Sequence, residues 1–499
     1  MLSKKAIIWL TLGFALLAAY IPQLIYQFPV PIGGDAYSHV QTAQKLRAGD
    51  VSGALHRYPP FFHVFPVLVA KLFHMSLLTS FAWVTPFLLL AAACSLGYFT
   101  WRWLRSWEAG LVAVALSSFV ALQPFQIWQD GGFPNVLASY VFLPIGLWAL
   151  LRLSLDPPDR KALGTFLAIG ILIVITHHLT TLTFVSLCSA YVLSYMLAVR
   201  LRQESTSQYM SYALWAVVGI GILTLVALPL AFAGGLLHVV FTTGGNFPFI
   251  HFAGGLDNPN ALLSLKDIPA SLSFYLAIFG TIGLVRLWFD RDQAWQIKVF
   301  FSVWVGFLLL ISQVPQFVFP VRFSRELGAP ITILAAYLIV TTVQQLRHYT
   351  WQVAWSGIIV ILFLTYGLMV RVEKILEIPE AVEFLQYDKQ AAAYINDHAL
   401  AGDCVVIVPR NRYYQYFLPH QTVIAYSLSH ELRTALDAAL DGQPAALPDC
   451  RYFVAERIPR TPDWSQRLHQ LGFHALNHFD GPTRGVTVFS SGFGTNREE

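Results

Sequence analysis

The segment Pro31–Val40, PIGGDAYSHV, brings an acidic side chain and an imidazole close together in the sequence. Asp35 has the chemistry of a general base or of a metal ligand. His39 follows within the same segment and is expected either to line the same pocket or to orient the carboxylate. Gly33 and Gly34 allow a tight turn and the close approach of a ligand. Since Asp beside glycine is also a common turn former, spacing alone leaves a purely structural role for Asp35 open.

A second polar segment, HRYPPFFH, follows in the same part of the chain. It contributes Arg57, Tyr58 and His63 as candidate substrate-binding residues. The two prolines between Tyr58 and His63 also suit the first turn of a helix, so a rigid helix start is the alternative interpretation.

Further along, three polar residues adjoin apolar runs. Asp130 is followed by two glycines, where a turn-forming role is the alternative to a functional one. His177 and His178 end an apolar run and form either a hydrogen-bonded pair at the membrane interface or part of a pocket. A zinc site is not favoured there, because no third ligand has local spacing.

Two arginines stand in the segment VRFSREL. Arg322 and Arg325 are three residues apart and would share a face if the segment were helical. A guanidinium group suits bidentate binding of phosphate, so both are candidate ligands of an anionic substrate.

The elements that position these residues are expected to be membrane helices. An apolar share of 56% with only 12% charged residues in 499 residues is typical of a polytopic membrane protein. About 20 residues cross a hydrocarbon core of about 30 Å, and we expect about eleven transmembrane helices on that basis. The first is expected at Ala6–Ile25, followed by a long outer loop over residues 26–77 in which Pro59–His74 forms an interfacial or half-inserted helix. The stretch FQIWQDGGFPN around Asp130 is expected to be a second loop.

The placement of Lys and Arg predicts the orientation. Short, densely basic turns alternate with long loops of few cations, which predicts a cytoplasmic N-terminus and long loops outside the cell membrane. The basic residues are scattered between spans, which excludes a nucleic-acid groove. Because ionisable groups near membrane ends suggest function, the outer ends are expected to build one polar pocket.

The composition changes near the C-terminus to that of a soluble domain. We expect a transmembrane domain over residues 1–371 and a small extracytoplasmic α/β domain over 372–499, with CVVIVP, RYFVAE and GVTVFSS as strands. Cys404 and Cys450 lie in this domain and are either a disulfide or free thiols.

The predicted chain combines a first span entering from the cytoplasm, GGDAYSH in a long outer loop, YPPFFH, a multi-span body and an outer C-terminal domain. Together these features resemble the GT-C superfamily of polyprenyl-phosphate-dependent glycosyltransferases. The resemblance implies an inverting transfer of sugar from a polyprenyl-phosphate-linked donor to a glycan, lipid or protein acceptor. It implies that Asp35 is the catalytic base and that Arg322, with Arg325 in reserve, meets the lipid phosphate. The chain lacks the Trp-Trp-Asp sequence of oligosaccharyltransferases, and Ala36 replaces the second acid of protein mannosyltransferases, so the likeness is to the superfamily.

Some members of the superfamily use a divalent ion. For Mg²⁺ or Mn²⁺, the expected ligands are Asp35, Asp130 and His178. The alternative to an enzyme is a non-catalytic or transport protein that binds lipid-linked saccharides. Such a protein normally shows charges within its spans or repeated span patterns, which this sequence does not show clearly.

Overall fold

The computed structural model divides the chain into two compact units, Met1–Glu373 and Lys374–Glu499. The described residues are 3–26, 34–55, 58–155, 160–204, 208–231, 265–314, 320–346, 364–370, 372–373, 379–398, 403–408, 423–427, 452–457, 464–471, 473–480 and 485–490.

The described part of the first unit is built of helices. They are α1 (Lys4–Tyr26), α2 (Gly34–Arg47), α3 (Val51–Leu55), α4 (Phe61–Leu72), α5 (Leu77–Leu104), α6 (Trp107–Ala115, continued by a π-helical turn at Leu116–Val120), α7 (Phe125–Gln129), α8 (Phe133–Asn135, continued by a π-helical turn at Val136–Phe142), α9 (Leu143–Ser154), α10 (Arg160–Val174), α11 (His178–Arg202), α12 (Gln208–Ala231), α13 (Ile268–Leu272), α14 (Phe274–Phe289), α15 (Trp295–Ile311), α16 (Pro320–Glu326) and α17 (Gly328–Leu346).

Five helical stretches among the described residues are long and apolar enough to cross a membrane. They are Lys4–Ile21, Leu77–Leu104, Phe133–Ser154, His178–Arg202 and Phe323–Leu346. Shorter apolar helices accompany them, and the total of eleven spans stays a prediction.

The turn between α5 and α6 follows from its capping residues. Ser76 begins α5 by accepting a hydrogen bond from the amide of Thr79 at 3.0 Å, and Arg105 ends it in the left-handed conformation. Ser106 then begins α6 by accepting from the amide of Ala109 at 3.2 Å. Gly97 and Gly110 let the two helices cross closely, since a β-carbon on Gly97 would lie 2.9 Å from the carbonyl oxygen of Gly110.

The region around Asp35 is helical, which corrects the expectation of a flexible glycine turn. Asp35 is the second residue of α2, where a carboxylate suits the positive end of the helix dipole. Ala36, Val40 and Ala43 are fully buried at helical spacing, so an apolar stripe holds α2 against its neighbours.

The stretch around Asp130 is also more structured than the predicted loop. It holds α7 and α8, and Phe125, Trp128 and Phe133 are buried. These aromatic side chains anchor the stretch in the protein interior, while Asp130 stays exposed. Within the predicted half-inserted segment, α4 begins after Pro60 and has 12 residues. At 1.5 Å per residue it is about 18 Å long, too short to cross the hydrocarbon core.

The second unit combines helices with one sheet. Its described elements are α18 (Pro379–His398), α19 (Trp464–Gln470), β1 (Asp403–Val408), β2 (Val423–Ser427), β3 (Tyr452–Arg457), β4 (His474–Asp480) and β5 (Gly485–Ser490). The strand order is β2-β1-β3-β5-β4, with β1 parallel to β2 and β3, and β5 antiparallel to β3 and β4. Ala391 and Ile395 of α18 pack on Val405 and Val454 in its core.

Strands β1, β3 and β5 coincide with the three apolar patterns in the sequence. The apolar patterns did not predict the edge strands β2 and β4, because β4, HALNHFD, is largely polar and β2 is short. The structure describes the backbone of Cys404 in β1, whereas Cys450 lies outside the described residues.

Candidate functional site

Helix α2 packs against the turn that carries Asp130. Gly131 has a φ of +84°, and a β-carbon there would lie 2.3 Å from the amide nitrogen of Ala36. Three residues along α2, the ring of His39 lies 5.9 Å from that of Phe133. Because Ala36 follows Asp35 directly, these contacts bring the backbones of the two acidic residues close together.

Asp130 in turn meets α16. The Nη1 atom of Arg325 donates to Oδ2 of Asp130 in an ion pair, with the arginine side chain 28% and the aspartate side chain 56% exposed. The buried Tyr140 fixes the backbone of the same arginine, because its hydroxyl donates to the carbonyl oxygen of Arg325 at 2.5 Å. The predicted helical relation of Arg322 and Arg325 is present in α16.

A pair of buried imidazoles joins α2 to α4. Nδ1 of His39 and Nε2 of His63 lie 3.0 Å apart, and the rings are 1% and 0% exposed. Burial lowers the pKa of His63 to about 3, although the carbonyl groups of Pro59 and Pro60 act in the opposite direction. His63 is therefore neutral at pH 7, and the two rings share one N–H···N hydrogen bond.

Tyr58 connects this pair to the start of α11. Its ring lies 4.7 Å from that of His39, 5.5 Å from His178 and 5.9 Å from His177, measured between centroids. We call these five residues the histidine–tyrosine cluster: His39, Tyr58, His63, His177 and His178. Tyr58 and His178 are its half-buried members, so they form the accessible side of the cluster.

His177 begins α11 as its N-cap. Its Nδ1 accepts from the amide of Thr180 at 3.1 Å, so a neutral His177 carries its proton on Nε2. The Thr180 hydroxyl reaches Asn135 at 3.5 Å, which joins α11 to α8. His177 is fully buried and hydrogen-bonded to backbone, as the alternative interpretation of this pair expects, whereas His178 is half-buried.

The predicted site residues therefore fall into two linked groups. The histidine–tyrosine cluster is one, and the pair of Asp130 with Arg325 is the other, with α2 touching both. The structure describes only the backbone of Asp35 and Arg322, and Arg57 lies outside the described residues. Pro60 is the N-cap of α4, so the YPPFFH segment is a helix start as well as a source of cluster residues.

Tyr140, Asn135 and Thr180 were not singled out from the sequence. Asn135 ends the stretch predicted as a second loop, Tyr140 lies in an apolar run typical of a membrane span, and Thr180 lies near the start of another such run. One local signal could have identified them. A polar residue within an apolar run is expected to be buried and therefore to need a hydrogen-bond partner.

The donors for a divalent ion fit poorly among the described side chains. No group of three His, Cys, Asp or Glu side chains that could hold a metal occurs among them. The Asp130 carboxylate also faces a guanidinium, which opposes a second cation at the same oxygen atoms.

Solved structures with a similar fold include those of two proteins. The crystal structure of ArnT from Cupriavidus metallidurans bound to undecaprenyl phosphate aligns with a TM-score of 0.62 at 11% identity, over 97% of this chain and 98% of that one. The oligosaccharyltransferase of Archaeoglobus fulgidus in its apo form aligns with a TM-score of 0.59 at 12% identity, over 94% of this chain and 73% of that one. Its complex with zinc and sulfate aligns with a TM-score of 0.57 at 12% identity, over 96% and 73%.

No protein-family model and no curated protein sequence matches the chain. The structural likeness nevertheless extends over nearly the whole chain. The protein has the GT-C fold and is a multi-pass helical membrane protein.

Proposed function

We propose that this protein is an integral-membrane glycosyltransferase that moves a sugar from a polyprenyl-phosphate-linked donor to an acceptor. The transfer occurs at the outer face of the cell membrane and inverts the anomeric carbon, with Asp35 as the catalytic base. In this proposal the N-terminus is cytoplasmic and the C-terminal domain is extracytoplasmic.

The contact of α2 with the Asp130 turn carries the proposal. It brings the backbone of Asp35 close to the backbone of Asp130, whose carboxylate is paired with Arg325. A base and a cation are the two groups that such a transfer requires at opposite ends of the reacting bonds. The likeness to ArnT and to oligosaccharyltransferase supports the class of donor.

The chemistry follows from these groups. The acceptor nucleophile attacks the anomeric carbon and transfers its proton to Asp35. The bond between the anomeric carbon and the phosphate oxygen breaks, and its electron pair remains on the lipid phosphate. Arg325, with Arg322 on the same short helix, stabilises that charge.

The histidine–tyrosine cluster supplies the substrate-binding surface in this scheme. Tyr58 and His178 offer a ring face and an imidazole on its accessible side, and Arg57 is the nearest cation in the sequence. Asp35, Asp130 and His178 are the proposed ligands for Mg²⁺ or Mn²⁺. Because Asp130 is engaged by Arg325, no step is assigned to such an ion.

The test uses the full chain in lipid nanodiscs. We expect the wild type to bind undecaprenyl phosphate and to transfer sugar from a member of a panel of undecaprenyl-phosphate sugars. Asp35→Asn should lower kcat by about 10²-fold or more while binding undecaprenyl phosphate normally, because only proton removal is lost. Asp50→Asn is the matched control, since Asp50 is exposed and its Oδ1 accepts from the amide of Gly53 at 2.8 Å, as an asparagine also can.

Full transfer activity in Asp35→Asn would overturn the assignment of the base. Binding of every lipid-linked sugar without transfer to any acceptor would favour a non-catalytic binding protein instead.

A further inference from the structure

The ion pair of Asp130 and Arg325 is held from both sides by ordered backbone. The amide of Asp130 donates to the carbonyl oxygen of Gln126 at 3.0 Å, which ends α7, and the next residue packs on Ala36. On the other side, the hydroxyl of Tyr140 fixes the carbonyl group of Arg325. The two charged side chains therefore meet from fixed attachment points rather than by chance on a mobile surface.

The pair is also accessible to an anion. The Asp130 side chain is 56% exposed, so its carboxylate regains water cheaply when it leaves the guanidinium. The Arg325 side chain is 28% exposed, so it loses an anionic neighbour at a larger cost. A ligand that displaces Asp130 must therefore bind the guanidinium strongly enough to replace the lost ion pair.

The charge of the ligand decides this competition. A polyprenyl-phosphate sugar is a phosphodiester with one negative charge, the same charge as a carboxylate. The phosphate monoester left after transfer carries close to two negative charges at pH 8, because its second pKa is about 6. Since the attraction to a guanidinium scales with charge, the monoester displaces a carboxylate more readily than the diester does.

We propose that Asp130 competes with the lipid phosphate for Arg325, holding it away from the monoanionic donor and releasing it to the dianionic leaving group, so that the dianionic product is bound less tightly than Arg325 alone would bind it. This inference rests on the proposed function, and it assigns the action of Arg325 to the moment when the lipid phosphate leaves. As the bond to the anomeric carbon breaks, charge accumulates on the phosphate, and Arg325 exchanges one anion for a more highly charged one. The guanidinium thus stabilises the leaving group more than the bound donor.

Binding measurements with two lipids test this exchange. The probes are undecaprenyl phosphate and its methyl phosphodiester, titrated at pH 8 into the full chain in neutral-lipid nanodiscs. We expect the wild type to prefer the monoester by about tenfold, which is the effect of about 1.4 kcal/mol. Asp130→Asn removes the competitor for Arg325 and should tighten binding of the monoester several-fold and of the diester less, so the preference rises.

Matched variants separate the charge effect from a structural one. Asp130→Ser removes the charge by a different route and should reproduce Asp130→Asn. Arg325→Gln should weaken the monoester and abolish the preference, whereas Asp50→Asn should behave as the wild type. Thermal unfolding of each variant shows that the fold is retained.

Two results would overturn the inference in distinguishable ways. If the wild type binds both lipids and Asp130→Asn and Asp130→Ser keep its preference unchanged, the exchange is wrong while the proposed function stands. If the wild type binds neither lipid, the proposed function fails and this inference fails with it.

Discussion

Gly131 and Ala36 touch through their backbones, although they are far apart in the sequence. A β-carbon on Gly131 would lie 2.3 Å from the amide nitrogen of Ala36, and Gly131 adopts a φ of +84°. This contact fixes the turn of Asp130 on α2, the helix whose second residue is Asp35. The arrangement of the site therefore depends on the absence of one side chain.

Gly131→Ala should separate α2 from this turn. We expect destabilisation of about 2–5 kcal/mol, because a left-handed alanine costs about 1–2 kcal/mol and overpacking adds about 1–3 kcal/mol. Thermal unfolding in detergent and binding of undecaprenyl phosphate measure the effect. Gly49→Ala is the control, since Gly49 has the same φ of +84° with nothing within 4 Å of an added β-carbon. Equal losses in the two variants would show that the contact with Ala36 is unimportant.

His63 makes the stability of the protein depend on pH. Its pKa is lowered to about 3 in the folded protein from 6.5, so the unfolded chain takes up a proton first as the pH falls. The free energy of unfolding is therefore independent of the titration of His63 above pH 6.5. Below pH 6.5 it falls by about 1.4 kcal/mol per pH unit. Between pH 7 and pH 5, the melting temperature of the wild type should fall more steeply than that of His63→Gln. Glutamine can still accept from His39, so parallel slopes would contradict the prediction.

His177 should stabilise the protein as a helix cap. His177→Ala leaves the Thr180 amide without its acceptor and should cost about 0.5–2 kcal/mol, in addition to the cavity. His177→Asn restores an N-cap acceptor and should recover part of the loss in melting temperature. An asparagine variant as unstable as the alanine variant would show that packing of the ring outweighs the cap.

Helices α14 and α17 should be sensitive to any side chain at their crossing. A β-carbon on Gly283 would lie 2.2 Å from the carbonyl oxygen of Leu334, so Gly283→Ala should force the helices apart and lower the melting temperature. Gly306 in α15 has nothing within 4 Å of an added β-carbon. Gly306→Ala should therefore leave stability unchanged or raise it by up to about 1 kcal/mol, since alanine favours the helix. A tolerated Gly283→Ala would mean that the crossing relaxes.

The sequence by itself determined the class of fold and most of the residues of interest. Long apolar runs require helices in a membrane, because no water is present there to satisfy an exposed backbone. The resemblance of GGDAYSH and YPPFFH to the GT-C superfamily then agreed with the fold. Polar residues at the ends of apolar runs were recognisable for the same reason, since each needs a partner.

The tertiary structure decided which of these residues meet. Asp130 pairs with Arg325, and Gly131 packs closely against Ala36. Both contacts join distant parts of the chain, and hydrophobic periodicity does not encode such pairings. It also decided that Asp35 lies in the first turn of a helix and that Phe125, Trp128 and Phe133 are buried. Local propensity predicted turns at both places, and burial of apolar side chains overrode it, because burying one large side chain contributes about 1.5–3 kcal/mol and outweighs the preference of a glycine for a turn.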